Sequence, residues 1–109
     1  MRRGEVWTAS GGPYYAGKPR PVVIVQSNDF ADAGSVTVCG LTSTILPVQR
    51  ARVTVEPSER NGLVVRSQLM VDKLTTLPMT KLGRRVGQLA DKDMLLLDRA
   101  MAVFLGLAG

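Results

Sequence analysis

The sequence predicts a mainly β protein: a small, curled antiparallel sheet with one helix packed on it at the C-terminal end. Two apolar runs, Val22-Val23-Ile24-Val25 and Val36-Thr37-Val38-Cys39-Gly40-Leu41, read as buried strands. Clusters of glycine, proline, serine and asparagine interrupt the chain so often that short strands fit between them and long helices do not. Only after Asp91 does the apolar spacing change to that of a helix. About five to seven short strands followed by one helix make a curled sheet with a helical cover the simplest way to bury both.

The elements follow in order. Gly4 to Ala9 is a first strand, with Val6 and Thr8 alternating against Glu5 and Trp7. Ser10 to Pro19 is a loop, too long for a tight hairpin. Arg20 to Gln26 and Ser35 to Leu41 are the two buried strands, and Cys39 is an inert residue within the second. Between them, Ser27-Asn28-Asp29 and Asp32-Ala33-Gly34 are turn residues, and turn formation is a stronger reading of Asp29 and Asp32 than a Mg²⁺ site. Arg50 to Glu56 alternates as a half-exposed strand, and Pro57 to Gly62 is a turn with Asn61-Gly62 as its sharpest signal. Leu63 to Val65 and Gln68 to Leu74 read as further strand, Pro78 to Leu82 as one helical turn, and Arg85 to Leu89 as a short strand weakened by Gly87. Asp91 is the expected N-cap of a helix reaching about Leu105, with Leu97, Ala100, Met101, Phe104 and Leu105 on its core face and Gly106 ending it. Trp7 is read as core, and Arg84 and Arg85 as a solvated face.

Composition narrows the chemistry. The chain has 109 residues, expected to form one domain over 1–109 with a core that needs no staples. A single cysteine forbids an internal disulfide, and the absence of histidine removes His-based acid, base and metal sites together with the usual serine-hydrolase triad. No cofactor is expected. No apolar run suffices to span a bilayer, no apolar signal region follows the basic start, and cytoplasmic residence is the expectation. A net charge of +5 favours an anionic partner, either nucleic acid or an acidic protein segment.

Two polar groups stand at the ends of the buried strands. Pro19 and Pro21 flank Arg20, holding the chain extended where neither neighbour donates a backbone hydrogen bond. A guanidinium so held presents two parallel donors to a phosphate. The same residue also reads as an ordinary surface arginine beside a turn, and both readings stand on these residues alone. Thr42 leaves the second strand.

Taken in order, these segments resemble the MazF/PemK/Kid family of bacterial toxin endoribonucleases. The resemblance runs nearly end to end: Arg3-Gly4-Glu5-Val6-Trp7, Lys18-Pro19-Arg20-Pro21-Val22-Val23-Ile24-Val25-Gln26-Ser27-Asn28-Asp29, Leu41-Thr42-Ser43, Gly62-Leu63, Ser67 through Thr76-Leu77, Val86-Gly87-Gln88-Leu89, and Ala102-Val103-Phe104-Leu105-Gly106-Leu107. It implies an SH3-like β-barrel with a C-terminal helix, of the CcdB/PemK type, acting as a homodimer. It implies metal-independent, sequence-specific cleavage of single-stranded RNA, with inhibition of translation and growth. A cognate antitoxin whose acidic tail covers the active surface is the implied partner. The family's catalytic arginine and threonine fall on Arg20 and Thr42, and an acidic position of some members falls on Asp72. The chain departs from the pattern in having no carboxylate in the loop before Arg20 and Thr75 where an arginine is common.

On that reading Arg20 stabilises negative charge on the phosphate, and Thr42 donates a hydrogen bond or holds the phosphate in line. Asp72 is the candidate general base; paired with Lys73 or Arg66 it would be only a strand-edge carboxylate. Tyr14 and Tyr15 are candidate base-stacking groups, with one of them expected to pack under its loop. Lys18, Ser43 and Lys73 are candidate RNA contacts. Two other classes compete: a non-catalytic gyrase-binding toxin of the same fold, and a plain RNA-binding module. The first is disfavoured by an ending, Leu107-Ala108-Gly109, without tryptophan.

Overall fold

The computed structural model describes residues 1–10, 18–47 and 51–109. The described residues form seven strands: β1 (Glu5–Ala9), β2 (Arg20–Ile24), β3 (Ser35–Thr42), β4 (Arg52–Val55), β5 (Ser67–Met70), β6 (Thr75–Pro78) and β7 (Leu82–Gln88). One helix, α1 (Asp91–Phe104), follows. The strands form an antiparallel sheet in the order β4-β5-β3-β2-β1-β7, with β6 also paired to β3. The curled sheet with its C-terminal helix is the mainly β, barrel-like fold that the sequence predicts. No described helix is long and apolar enough to cross a membrane.

The continuous apolar runs have a simple cause: both faces of the central strands are buried. Val23, Val25, Cys39 and Leu41 join Val6, Val53, Val55, Leu69 and Leu97 in one core, on the face that α1 covers. Val22, Ile24, Val36 and Val38 join Ala9 and Leu77 in a second core on the other face. A strand buried on both sides loses the polar alternation that usually marks it. Cys39 is fully buried, and burial pushes its thiol up to about 12, with the Asp72 carboxylate adding to the shift.

β3 is the longest strand because it serves three partners. Its first half pairs with β6, from Ser35 opposite Pro78 to Val38 opposite Thr75. Its last two residues pair with β5, Leu41 opposite Leu69 and Thr42 opposite Gln68. Its other edge pairs with β2, Val22 opposite Gly40 and Ile24 opposite Val38.

Several local expectations are corrected. Leu63–Val65 is a bend rather than strand, with Val64 91% and Val65 51% exposed. Gly62 at φ +70° turns the chain there, and a Cβ on it would lie 2.0 Å from the Val86 carbonyl oxygen. The strand expected over Gln68–Leu74 stops at Met70 and continues as a 3₁₀ turn, Val71–Lys73. β6 was not anticipated, and the helical turn beside it is a 3₁₀ turn over Met79–Lys81. Asp91 is the first helical residue and Ala90 precedes it without a side-chain cap; Asp91 and Asp93 instead place negative charge in the first turn. Leu97 is buried and Ala100 and Met101 pack beside it, but Phe104 and Leu105 are 47% and 55% exposed, beyond the end of the core. Trp7 packs half-buried against the second core and donates its indole N–H to Glu5 at 3.1 Å.

Candidate active site

β2 and β3 bring Arg20 and Thr42 side by side. Continuing the register of Val22 opposite Gly40 by two residues sets Arg20 across from Thr42. Directly opposed residues of an antiparallel pair share one face, with Cβ atoms about 4.5–5.5 Å apart. The Thr42 hydroxyl oxygen accepts the Thr44 backbone N–H at 3.1 Å. That contact uses an acceptor site of the hydroxyl and leaves its proton for a second partner. Thr42 is half-buried, whereas Arg20 is exposed.

Arg20 also lines a cleft of about 280 Å³. Thr8, Pro21, Leu41, Ser43 and Ser67 line it, and Gly62, Leu63, Val64 and Val65 give it an apolar wall with Val86. Arg84 completes the lining. Its backbone N–H donates to the Thr8 hydroxyl at 3.0 Å. No carboxylate lines this cleft among the described residues. Five of the described arginines are bound to acids elsewhere: Arg3 to Asp98, Arg52 to Asp72, Arg60 to Asp91, Arg66 to Glu56 and Arg85 to Glu5.

The other predicted residues divide between the two ends of the sheet. Ser43 lines the cleft, and Lys18 is exposed two residues before Arg20. Tyr14 and Tyr15 lie outside the described residues. Asp72 and Lys73 belong to the 3₁₀ turn at the far end of β5. Asp72 is four residues beyond Gln68, the partner of Thr42, past the end of β5. Its carboxylate receives the Arg52 Nε at 2.8 Å and Nη2 at 3.3 Å. Burial alone pushes this carboxyl upward, but the hydrogen bonds and charge of Arg52 outweigh it and hold it below the usual carboxylate value. Asp72 is therefore an ion-pair partner of Arg52, and it does not line the cleft that Arg20 lines.

Two positioning groups had no functional signal in the sequence. Gln68 is only 4% exposed, and its amide grips the backbone of Leu46, donating to the carbonyl at 2.8 Å and accepting the N–H at 3.1 Å. This clamp fixes the segment that follows Thr42 and carries Ser43. Asn61, 2% exposed, accepts the N–H groups of Ser58 and Leu63 and donates to the Glu56 carbonyl. It builds the turn that supports the apolar wall. Its turn signal was legible; its role as a buried hub was not.

A cationic cleft without an acid among the described residues, beside a guanidinium–hydroxyl pair, has the chemistry to receive a phosphate-bearing polyanion. Residues 2–105 match the family of PemK-like, MazF-like toxins of type II toxin–antitoxin systems, and the chain belongs to that family. It is 47% identical over 109 residues to the probable endoribonuclease MazF of Mycolicibacterium smegmatis, covering 100% of both chains. It is 31% identical to endoribonuclease MazF9 of Mycobacterium tuberculosis, covering 98% of each. The fold is similar to a mycobacterial endoribonuclease solved in complex with its cognate antitoxin, with a TM-score of 0.83, 25% identity and coverage of 100% and 98% of the two chains. It is also similar to the Mycobacterium tuberculosis toxin MazF-mt6, with a TM-score of 0.80, 26% identity and coverage of 96% and 99%.

Proposed function

We propose that this chain is a toxin endoribonuclease that cleaves single-stranded RNA without a metal ion, using Arg20 and Thr42. The observation behind this reading is their placement on opposed positions of β2 and β3, with Arg20 also lining a cleft that holds no carboxylate among the described residues. The endoribonuclease names of the relatives support the activity class.

The substrate supplies the nucleophile. Its 2′-oxygen bonds to phosphorus as the bond to the 5′-oxygen breaks, leaving a 2′,3′-cyclic phosphate and a 5′-hydroxyl. Negative charge gathers on the non-bridging oxygens. Arg20 stabilises that charge, and loss of one such donor typically costs about 3–4 kcal/mol. The Thr42 hydroxyl donates a second hydrogen bond and holds the phosphate in line. Arginine stays protonated, so Arg20 is an electrostatic group and not the base. With Asp72 held by Arg52, the proton of the 2′-hydroxyl passes through solvent and reaches the departing 5′-oxygen by the same route.

In this reading the working form is a cytoplasmic homodimer neutralised by an antitoxin with an acidic tail, which the positive charge of the chain suits. Incubation of the purified protein with a long RNA in EDTA is the test. Discrete fragments with 5′-hydroxyl and cyclic phosphate ends are expected. Activity that disappears in EDTA and returns with Mg²⁺ would overturn the mechanism, and an intact RNA would return the chain to the binding-protein classes.

A further inference from the structure

We infer that Arg84 is a second phosphate-binding residue of this site: it grips the RNA backbone beside the scissile phosphate and contributes affinity rather than chemistry. The inference rests on the RNA-cleaving reading above and extends it to a residue whose sequence context suggested only a solvated face.

The argument begins with charge pairing. Among the described arginines, five are ion-paired with carboxylates, whereas the two that line the cleft, Arg20 and Arg84, have no side-chain hydrogen bond or ion pair there. Arg2 and Arg99 are likewise unpaired but lie outside the cleft. The adjacent arginines of β7 are treated differently: Arg85 reaches Glu5 at 3.2 Å, while Arg84 lines the acid-free cleft. An unpaired exposed arginine is ordinary on its own. Two of them sharing a cleft with hydroxyls and no acid form an anion site.

The backbone holds Arg84 in place. Its N–H is bound to the Thr8 hydroxyl, and a Cβ on Gly83 would lie 2.4 Å from the same oxygen, so β7 and β1 touch closely here. Ala9 of β1 lies opposite Arg20 on one side and Leu82 on the other. Arg20 and Arg84 therefore stand on strands that flank β1, about two strand spacings or roughly 10 Å apart. Long guanidinium side chains on such a base can hold two neighbouring phosphates of one strand. Arg20, beside Thr42, takes the reacting phosphate, and Arg84 takes the next.

The test compares wild type with Arg84→Gln and Arg84→Lys. Affinity is read with RNA carrying a 2′-deoxy residue at the cleavage position, and chemistry by single-turnover cleavage of the unmodified RNA. Arg84→Gln should weaken binding about tenfold, slow cleavage at subsaturating protein in proportion, leave only the saturating single-turnover rate within about twofold, and flatten the salt dependence of binding by about 0.7 in log–log slope, the value of one single-strand phosphate contact. Arg84→Lys should keep the salt slope. A neutral methylphosphonate at the phosphate next to the scissile one should weaken wild-type binding similarly and Arg84→Gln binding no further. Unchanged affinity and salt slope in Arg84→Gln would overturn the assignment while wild-type cleavage still upheld the endoribonuclease reading. Wild-type RNA behaviour with weakened binding of a glutamate-rich peptide would also overturn it, moving Arg84 to a protein-docking role. Wild-type protein that leaves RNA intact would overturn both readings.

Discussion

Replacing Gln68 by methionine isolates the clamp behind Thr42. The two side chains have similar size, so the buried site stays filled, but methionine cannot hold the Leu46 carbonyl and N–H. The lost contacts are the hydrogen bonds of 2.8 and 3.1 Å, with a longer one of 3.5 Å to the Thr54 hydroxyl. Each is worth about 0.5–1.5 kcal/mol net, and Leu46 is 38% exposed, so water can satisfy the freed groups. A loss of about 1–2 kcal/mol follows, which lowers the melting temperature by roughly 4–8 °C for a chain of this size. The freed segment carries Ser43 and Thr44, whose N–H binds the Thr42 hydroxyl, so the hydroxyl loses its fixed direction. Misplacement by about 1 Å can cost about 10²-fold in rate, and a single-turnover loss of roughly 10–100-fold is expected. Thermal melting, hydrogen exchange of the Leu46 amide and single-turnover cleavage together read the effect. Faster exchange with a slower reaction supports the reasoning. A variant that melts lower yet cleaves at the wild-type rate would refute the positioning role.

Three further outcomes follow from the same structure. Asp72→Asn should lower stability at neutral pH by about 1 kcal/mol or less, because the pair is partly exposed to solvent. The folded pKa of Asp72 is depressed, so its contribution is present above the ordinary carboxylate value and lost as pH falls through the folded one; melting curves of the two proteins should converge in acid. The variant should keep the wild-type pH profile of cleavage. Cys39, raised to about 12 and fully buried, should resist alkylation by iodoacetamide at pH 8 in the native protein and react only on unfolding, as mass spectrometry would show. Gly62→Ala should cost more than Gly34→Ala: both have positive φ, with a strain of about 1–2 kcal/mol, but only the Cβ at Gly62 meets backbone. Equal melting temperatures would show that the contact with Val86 relaxes without cost.

The strand cores and the helix were legible because burial leaves a direct mark on composition. Val22 to Val25 announce a strand even though both faces are covered. β6 left a weaker mark, since Thr75-Thr76-Leu77-Pro78 carries one buried apolar residue and a terminal proline. Leu63-Val64-Val65 misled in the opposite direction: its β-branched residues suit a strand, but the turn at Gly62 and the buried Asn61 hold it as a cleft wall. At the site, the prolines around Arg20 and the end of the second strand pointed to two positions that the register sets opposite each other. The partner of Asp72 was not legible, because Arg52 is twenty residues away in sequence and meets it only through the pairing of β4 with β5. Gln68 and Arg84 were invisible for the same reason: their roles depend on the backbone of Leu46 and on a cleft assembled from several strands.

The most direct test of the central claim is the cleavage rate of Arg20→Lys and Arg20→Ala beside their binding of a 2′-deoxy-substituted RNA. Lysine keeps the charge but loses the planar fork, so binding should weaken slightly while cleavage falls by about two orders of magnitude or more. Alanine should match that loss of cleavage, weaken binding further and leave the melting temperature near wild type, because Arg20 is exposed and contributes little to the core. Thr42→Ala should reduce cleavage, and Thr42→Ser should retain part of it. Near wild-type cleavage by Arg20→Lys would show that charge alone suffices, and normal cleavage by Arg20→Ala would contradict the account at its centre.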